Sequence, residues 1–298
     1  MQQFIDTLIL GVSFGAIYAL MALALILVWR STRVVNFAQA GQAVLSTYIG
    51  MEIHRLTSSY WIALIVAVIA GGIVGGLVDL LMVRPLSRHS GTGPEAAVAP
   101  VIGTLGLLAI VQGVVGIFWG GEFRKYPAAF STDAISIGGS RIPFSPFDIF
   151  IVAIVLAVMV AFGFIFQRTG LGLAMRAAAF GSEVAQLAGV RTGRVRTVGW
   201  SFAGSAGALA GVLITPNVFL APNSLDLLLV FGFTAAVIGG LESMVGGALG
   251  GLALGLGLAI VLQYLGSSFT FMAAFVVLIV VLLVRPQGLL GKKGARRA

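Results

Sequence analysis

The stretch Phe4-Ile5-Asp6-Thr7-Leu8-Ile9-Leu10-Gly11-Val12-Ser13-Phe14-Gly15-Ala16-Ile17-Tyr18-Ala19-Leu20-Met21-Ala22-Leu23-Ala24-Leu25-Ile26-Leu27-Val28 decides the class of fold. It carries one charged side chain, Asp6, at its beginning. About 20 consecutive apolar residues cross the hydrocarbon core of a bilayer. Backbone polar groups there must find partners inside the segment, so the stretch reads as a membrane-spanning helix. It is too long for a signal-peptide core and lacks both a basic flank on its N-terminal side and a small-residue cleavage pattern, so it reads as a retained first span.

Composition extends that reading to the whole chain. Of 298 residues, 59% are apolar, 9% are charged and 41 are glycine. Soluble domains run near 45–50% apolar and about 25% charged. An ordinary soluble protein is excluded, and no room is left for a soluble catalytic domain of about 100 residues. The absence of cysteine excludes disulfides, iron–sulfur ligation and thiolate zinc sites. The net charge of +8 comes from basic residues at the ends of apolar runs. It therefore points to lipid headgroups and a cytoplasmic partner rather than to nucleic acid.

The fold class expected is an all-α, polytopic transmembrane bundle of about eight or nine spans. Spans are expected at about 4–28, 35–51, 60–83, 96–119, 148–166, 197–215, 225–241, 244–265 and 269–284, with a re-entrant hairpin as an alternative inside 225–265. Basic residues near short loops stay cytoplasmic. If the Arg30/Arg33 turn is inside, alternation places all of the 18 Lys and Arg residues inside except Arg55, Arg124, Lys125 and Arg141. This predicts an outside N-terminus, a cytoplasmic C-terminus and nine crossings. The outer stretch 120–147 is expected to hold a short strand and turn near Thr132–Gly139. The inner stretch 168–196 is expected to hold one or two surface helices, with Ser182 as an N-cap and Gly189 as a C′ glycine.

Glycine and alanine recur four apart, as in Gly11/Gly15, Gly71/Gly75, Gly72/Gly76, Ala203/Gly207/Gly211 and Gly247/Gly251/Gly255. This spacing lets helices pack closely in lipid. Gly239-Gly240 and Gly246-Gly247 flank Glu242 and suggest a locally broken helix. Asp79 precedes Arg84 by five residues at an inner membrane edge, which favours an ion pair. No carboxylate falls at mid-bilayer, so coupling to protons or ions has no candidate residue. His54 and His89 fall in loops on opposite faces, and the glycine runs lack a P-loop lysine. No catalytic site, metal site or intrinsic ATP hydrolysis follows, and no cofactor is expected. Val35-Asn36-Phe37-Ala38-Gln39-Ala40-Gly41-Gln42 opens the second span with three amides. Two readings stay open there: a polar strip along a translocation path, or interhelical hydrogen bonding.

Several of these segments resemble the permease family of branched-chain amino acid ABC importers, in particular the smaller of the two paired permeases. Val35-Asn36-Phe37-Ala38-Gln39 is similar to the family's N-F-A-Q/H signature, and Asp79 through Arg84-Pro85-Leu86 to its acidic-x4-Arg-Pro pattern. Arg168-Thr169-Gly170-Leu171-Gly172 through Met175-Arg176-Ala177, with Ala188-Gly189-Val190, resembles its cytoplasmic coupling loop. Ala236-Val237-Ile238-Gly239-Gly240 through Gly246-Gly247, with Arg285-Pro286-Gln287-Gly288-Leu289, resembles its late span and close.

The resemblance implies a single permease domain over 1–298, of the type II ABC importer kind, in the bacterial inner membrane. Partners implied are a second, similar permease, two cytoplasmic ATPases that supply ATP hydrolysis, and an extracytoplasmic solute-binding protein. It points to Asn36, Phe37, Gln39 and Gln42 for the substrate pathway, and to Arg176, Ala177, Glu183, Gly189 and Val190 for ATPase coupling. The solute expected is a branched-chain or other small hydrophobic amino acid. Alternatives are urea or short amides within the same family, or a passive homo-oligomeric channel outside it.

Overall fold

A computed structural model describes residues 2–89, 95–137 and 140–291. Among these the helices are α1 (Gln2–Thr32), α2 (Gln39–Thr57), α3 (Tyr60–Val78), α4 (Arg84–His89), α5 (Glu95–Trp119), α6 (Pro146–Arg168), α7 (Gly170–Phe180), α8 (Ser182–Leu187), α9 (Thr192–Ile214), α10 (Asp226–Gly239), α11 (Met244–Tyr264) and α12 (Ser268–Val284). A π-turn, Asp79–Val83, joins α3 to α4. The strands β1 (Ile135–Ile137) and β2 (Ser140–Ile142) pair antiparallel, with Ile135 opposite Ile142.

Each of the nine expected segments contains a helix, but they are not equivalent. Six helical stretches are long and apolar enough to cross a membrane: Gln2–Thr32, Tyr60–Ser87, Val98–Trp119, Pro146–Arg168, Thr192–Ile214 and Met244–Tyr264. Helices α10 and α12 are apolar but shorter. Helix α2 starts at Gln39 rather than near Val35, because Arg33 turns left-handed (φ 59°) after α1 and residues 34–36 run without regular structure. Polar side chains at Gln39, Gln42, Ser46 and Thr47 keep α2 from the purely apolar character of its neighbours, and all four are buried in protein.

The chain contacts group into two compact units. The first comprises Met1–Ile26, Phe130–Ala157 and Val230–Ala298. Here the four-spaced glycines of α1 and α11 form one seam: a methyl group at Gly11 would sit 2.9 Å from Leu256 Cα, and one at Gly15 3.0 Å from Leu252 Cα. The break expected near Gly239-Gly240 lies where α10 ends, with Gly240 at φ 99°. The exposed carbonyls of that helix end are taken by the later chain, as Leu289 N–H donates to Ile238 O at 2.7 Å and Leu290 N–H to Gly239 O at 3.1 Å. Helix α11 itself runs unbroken from Met244 to Tyr264.

The second unit comprises Leu27–Ala129 and Val158–Leu229. Its centre is α3 packed on α9, with α2 alongside. Gly71 and Gly75 bring α3 against the backbone of α9 at Gly204 and Trp200; a methyl at Gly71 would lie 2.5 Å from the Gly204 carbonyl oxygen. On the same seam Ser205 Oγ donates to Val68 O at 3.0 Å. Small residues at four-residue spacing are what close approach in lipid requires.

Candidate functional site

The start of α2 is where polar atoms are buried most densely. Asn36 and Gln39 are fully buried and Gln42 is 1% exposed. Asn36 does not cap α2; its Nδ2 donates instead to Gln39 Oε1 at 2.9 Å. Gln39 Nε2 in turn donates to the Ala203 carbonyl of α9 at 3.0 Å. Gly207 makes room for this, since any side chain there would meet the Gln39 amide. Phe37 N–H donates to Thr104 Oγ1 of α5 at 3.3 Å, and Thr104 is itself fully buried. These bonds tie α2 to α5 and α9.

Gln42 differs from its neighbours. Neither its Nε2 nor its Oε1 has a hydrogen-bond partner among the described residues, and Asn36 Oδ1 is in the same position. One turn on, Ser46 Oγ donates to Gln42 O at 2.7 Å and Thr47 Oγ1 to Ala43 O at 2.8 Å, so both hydroxyls are satisfied within the helix. An amide unpartnered in a buried place costs about 1–3 kcal/mol. Hydrogen bonding thus differs along the amide row. Gln39 links α2 to α9 and holds Asn36, while Gln42 presents a donor and an acceptor without a partner among the described residues.

At the far end of α3 the π-turn sets the charge geometry. Residues five apart sit on different faces of an α-helix, but the wider turn closes Arg84 N–H on Asp79 O and brings the two side chains to one side. Arg84 Nη2 lies 3.6 Å from Asp79 Oδ2, donates to Gly193 O at 2.7 Å and reaches Thr197 Oγ1 at 2.9 Å. Arg196 Nε lies 2.7 Å from Asp79 Oδ1, and Thr197 Oγ1 donates to Asp79 Oδ2 at 2.7 Å. Asp79 is fully buried among them. The second arginine and the threonine were not singled out in the sequence. Arg191, Arg194 and Arg196 are indistinguishable there, and only the packing of α9 on α3 selects one.

The segment between α6 and α9 forms the two short helices α7 and α8. Thr169 caps α7, its Oγ1 accepting from Gly172 N–H at 3.3 Å, and Arg176 Nη1 donates to Phe166 O at 2.6 Å, tying α7 to the end of α6. Ala177 O receives the Gly181 N–H. Helix α8 begins at Ser182 itself, with Gly181 in the capping position assigned to Ser182 from the sequence. Its other end closes as expected at Gly189 (φ 82°): Gly189 N–H donates to Gln186 O and Val190 N–H to Ala185 O, both at 2.9 Å. Glu183 is exposed, as are the apolar Val184 and Leu187, the latter at 90%.

Long apolar helices packed through small residues make the chain a multi-helix membrane protein. The family model described as branched-chain amino acid transport system / permease component matches residues 7–284. The chain belongs to that family, and so is a multi-pass inner-membrane permease subunit and not an enzyme. It is similar to the probable branched-chain amino acid transport permease protein LivH of Methanocaldococcus jannaschii, 26% identical over 297 residues, covering 94% of this chain and 90% of that protein. It is also 27% identical over 310 residues to the high-affinity branched-chain amino acid transport system permease protein LivH of Salmonella typhimurium, covering 97% and 96%. A solved structure, PsaBC from Streptococcus pneumoniae in complex with Fab, is similar at a TM-score of 0.48 and 13% identity, covering 96% of this chain and 91% of that one.

Proposed function

We propose that this chain is one of two permease subunits of an ATP-driven importer for branched-chain or other small hydrophobic amino acids. The observation that supports this best is the Gln42 amide, buried on α2 beside an amide pair that is already hydrogen-bonded. In this reading Asn36, Phe37 and Gln39 shape the pathway wall, and Gln42 offers it a donor and an acceptor. Asp79 and Arg84 form a structural ion pair that fixes the inner end of α3.

The remaining assignments follow the same reading. The chain is a single permease domain over 1–298 crossing the membrane nine times, with its N-terminus outside and its C-terminus cytoplasmic. Residues 120–147 form an extracytoplasmic loop that meets a solute-binding protein. Residues 168–196 form the cytoplasmic coupling loop, where Arg176, Ala177, Glu183, Gly189 and Val190 meet one of two partner ATPases. The exposed Val184 and Leu187 beside Glu183 support a docking role for α8, since apolar side chains that exposed on a surface helix gain from a partner. Relatives named for branched-chain amino acids support the substrate class.

The test is uptake of labelled leucine, isoleucine, valine and urea by vesicles reconstituted with the second permease, both ATPases and the binding protein. ATP-dependent entry of the three amino acids is expected. Entry of urea alone shifts the substrate class. Flux through this chain alone without nucleotide makes it a passive channel.

A further inference from the structure

The second unit holds a carboxylate inside the membrane whose partner is a neutral amide. Asp226, the first residue of α10, accepts from Gln112 Nε2 of α5 through both oxygens, at 2.8 and 3.1 Å. No Lys or Arg among the described residues pairs with it. Its depth follows from α5. That helix closes at Trp119, whose Nε1 donates to Glu52 Oε1 at 3.1 Å, and Glu52 pairs with Arg55, 75% exposed, so this end lies at the water interface. Gln112 stands two helical turns before Trp119, which puts the carboxylate it holds about 10 Å inward. A carboxylate facing hydrocarbon there is costly. Asp226 is nonetheless only half-buried, so its open side faces water or a polar solute.

We propose that Asp226, held by Gln112, is the subsite that takes the ammonium group of the transported solute. What the pair leaves over is acceptor capacity. Gln112 turns its amide nitrogen to the carboxylate, and its Oε1 has no hydrogen-bond partner among the described residues. An ammonium group is the complement, since it carries three donors and no acceptor. The same elements surround Gln42. A methyl group at Gly41 would lie 3.4 Å from Val111, and one at Gly211 would lie 3.0 Å from Leu225 and 2.6 Å from Thr47 Oγ1. Gly41 adjoins Gln42, Val111 adjoins Gln112 and Leu225 adjoins Asp226, so the unpartnered amide and the carboxylate border one junction of α2, α5, α9 and the start of α10. This subsite rests on the amino acid importer reading and adds a charge requirement to it. A solute bearing an ammonium group gains a charge-paired hydrogen bond here, whereas neutral urea does not.

The experiment uses vesicles reconstituted with the second permease, both ATPases and the binding protein. Wild-type vesicles that take up no leucine remove the importer reading and this subsite with it. With wild-type uptake present, Asp226→Asn is expected to lower the maximal rate of leucine uptake at least about tenfold, the loss of one charge-assisted bond, while the complex still hydrolyses ATP. A maximal rate within about twofold of wild type overturns the subsite and leaves the importer reading standing. A second measurement requires no variant to fold. The wild-type importer is treated with a water-soluble carbodiimide and glycine methyl ester, and modified carboxylates are mapped by peptide mass spectrometry. Modification of Asp226 alongside the exposed Glu122, with the fully buried Asp79 spared, is the result expected. Asp226 left unmodified while Glu122 reacts would show it closed to the aqueous path and overturns the proposal.

Discussion

Replacing Asp79 by Asn removes one charge while keeping the shape of the side chain, and tests whether the α3–α9 junction is held electrostatically. Asp79 is fully buried, 2.7 Å from Arg196 Nε and 3.6 Å from Arg84 Nη2. At an effective dielectric near 20, a pair of unit charges about 4 Å apart attracts by about 4 kcal/mol. Desolvation of the carboxylate offsets much of that. The two arginine side chains are 27% and 21% exposed, so both can turn toward water once the carboxylate is gone. The Asn oxygen still accepts from Thr197. The net loss expected is about 2–3 kcal/mol, below the 3–5 kcal/mol of a fully buried pair left with one partner. The assay is reversible unfolding in mixed micelles, with Asp79→Asn, Arg196→Gln and the double variant closing a cycle. A coupling energy of about 1 kcal/mol or more is expected for Asp79–Arg196. Asp79→Asn within about 0.5 kcal/mol of wild type, with no coupling, would refute the reasoning.

Three further outcomes follow. Gln42→Leu removes two unpartnered polar atoms, so stability should hold or rise by up to about 1 kcal/mol while ATP-dependent uptake falls at least about tenfold; unchanged uptake removes Gln42 from the pathway. Gln39→Leu breaks the bonds to Asn36 and Ala203 and should cost about 1–3 kcal/mol in the same unfolding assay, with a gain in stability contradicting the tie between α2 and α9. Gly75→Leu should prevent a monodisperse peak in size-exclusion chromatography, because its side chain would occupy the space of the Trp200 carbonyl; a normal elution profile would show that α3 and α9 can separate.

How much was legible differs by element. Apolar length is a one-dimensional property, and so every expected span contains a helix. The limits of α2 were not legible, because Arg33 and the backbone after it adopt a turn that the apolar pattern does not encode. The four-spaced glycines announced close packing but not the partner helix: Gly71 and Gly75 meet α9, whereas Gly11 and Gly15 meet α11. The Gly189 terminus was legible, since a left-handed residue after a short helix favours glycine.

Sequence composition alone determined that this is a helical membrane protein, because the scarcity of charge and the length of its apolar runs leave no other solvent, and the resemblance of its motifs pointed to a permease. The sequence also placed the amides at 36–42 and the acid and base at 79 and 84. Only the tertiary structure decided what each bonds or pairs with. The approach of α9 satisfies Gln39 but not Gln42, and a π-turn with Arg196 brought from 117 residues further along the chain makes Asp79 the centre of a cluster. Hydrogen-bond satisfaction and charge pairing depend on distances between segments remote in sequence, and packing sets those distances.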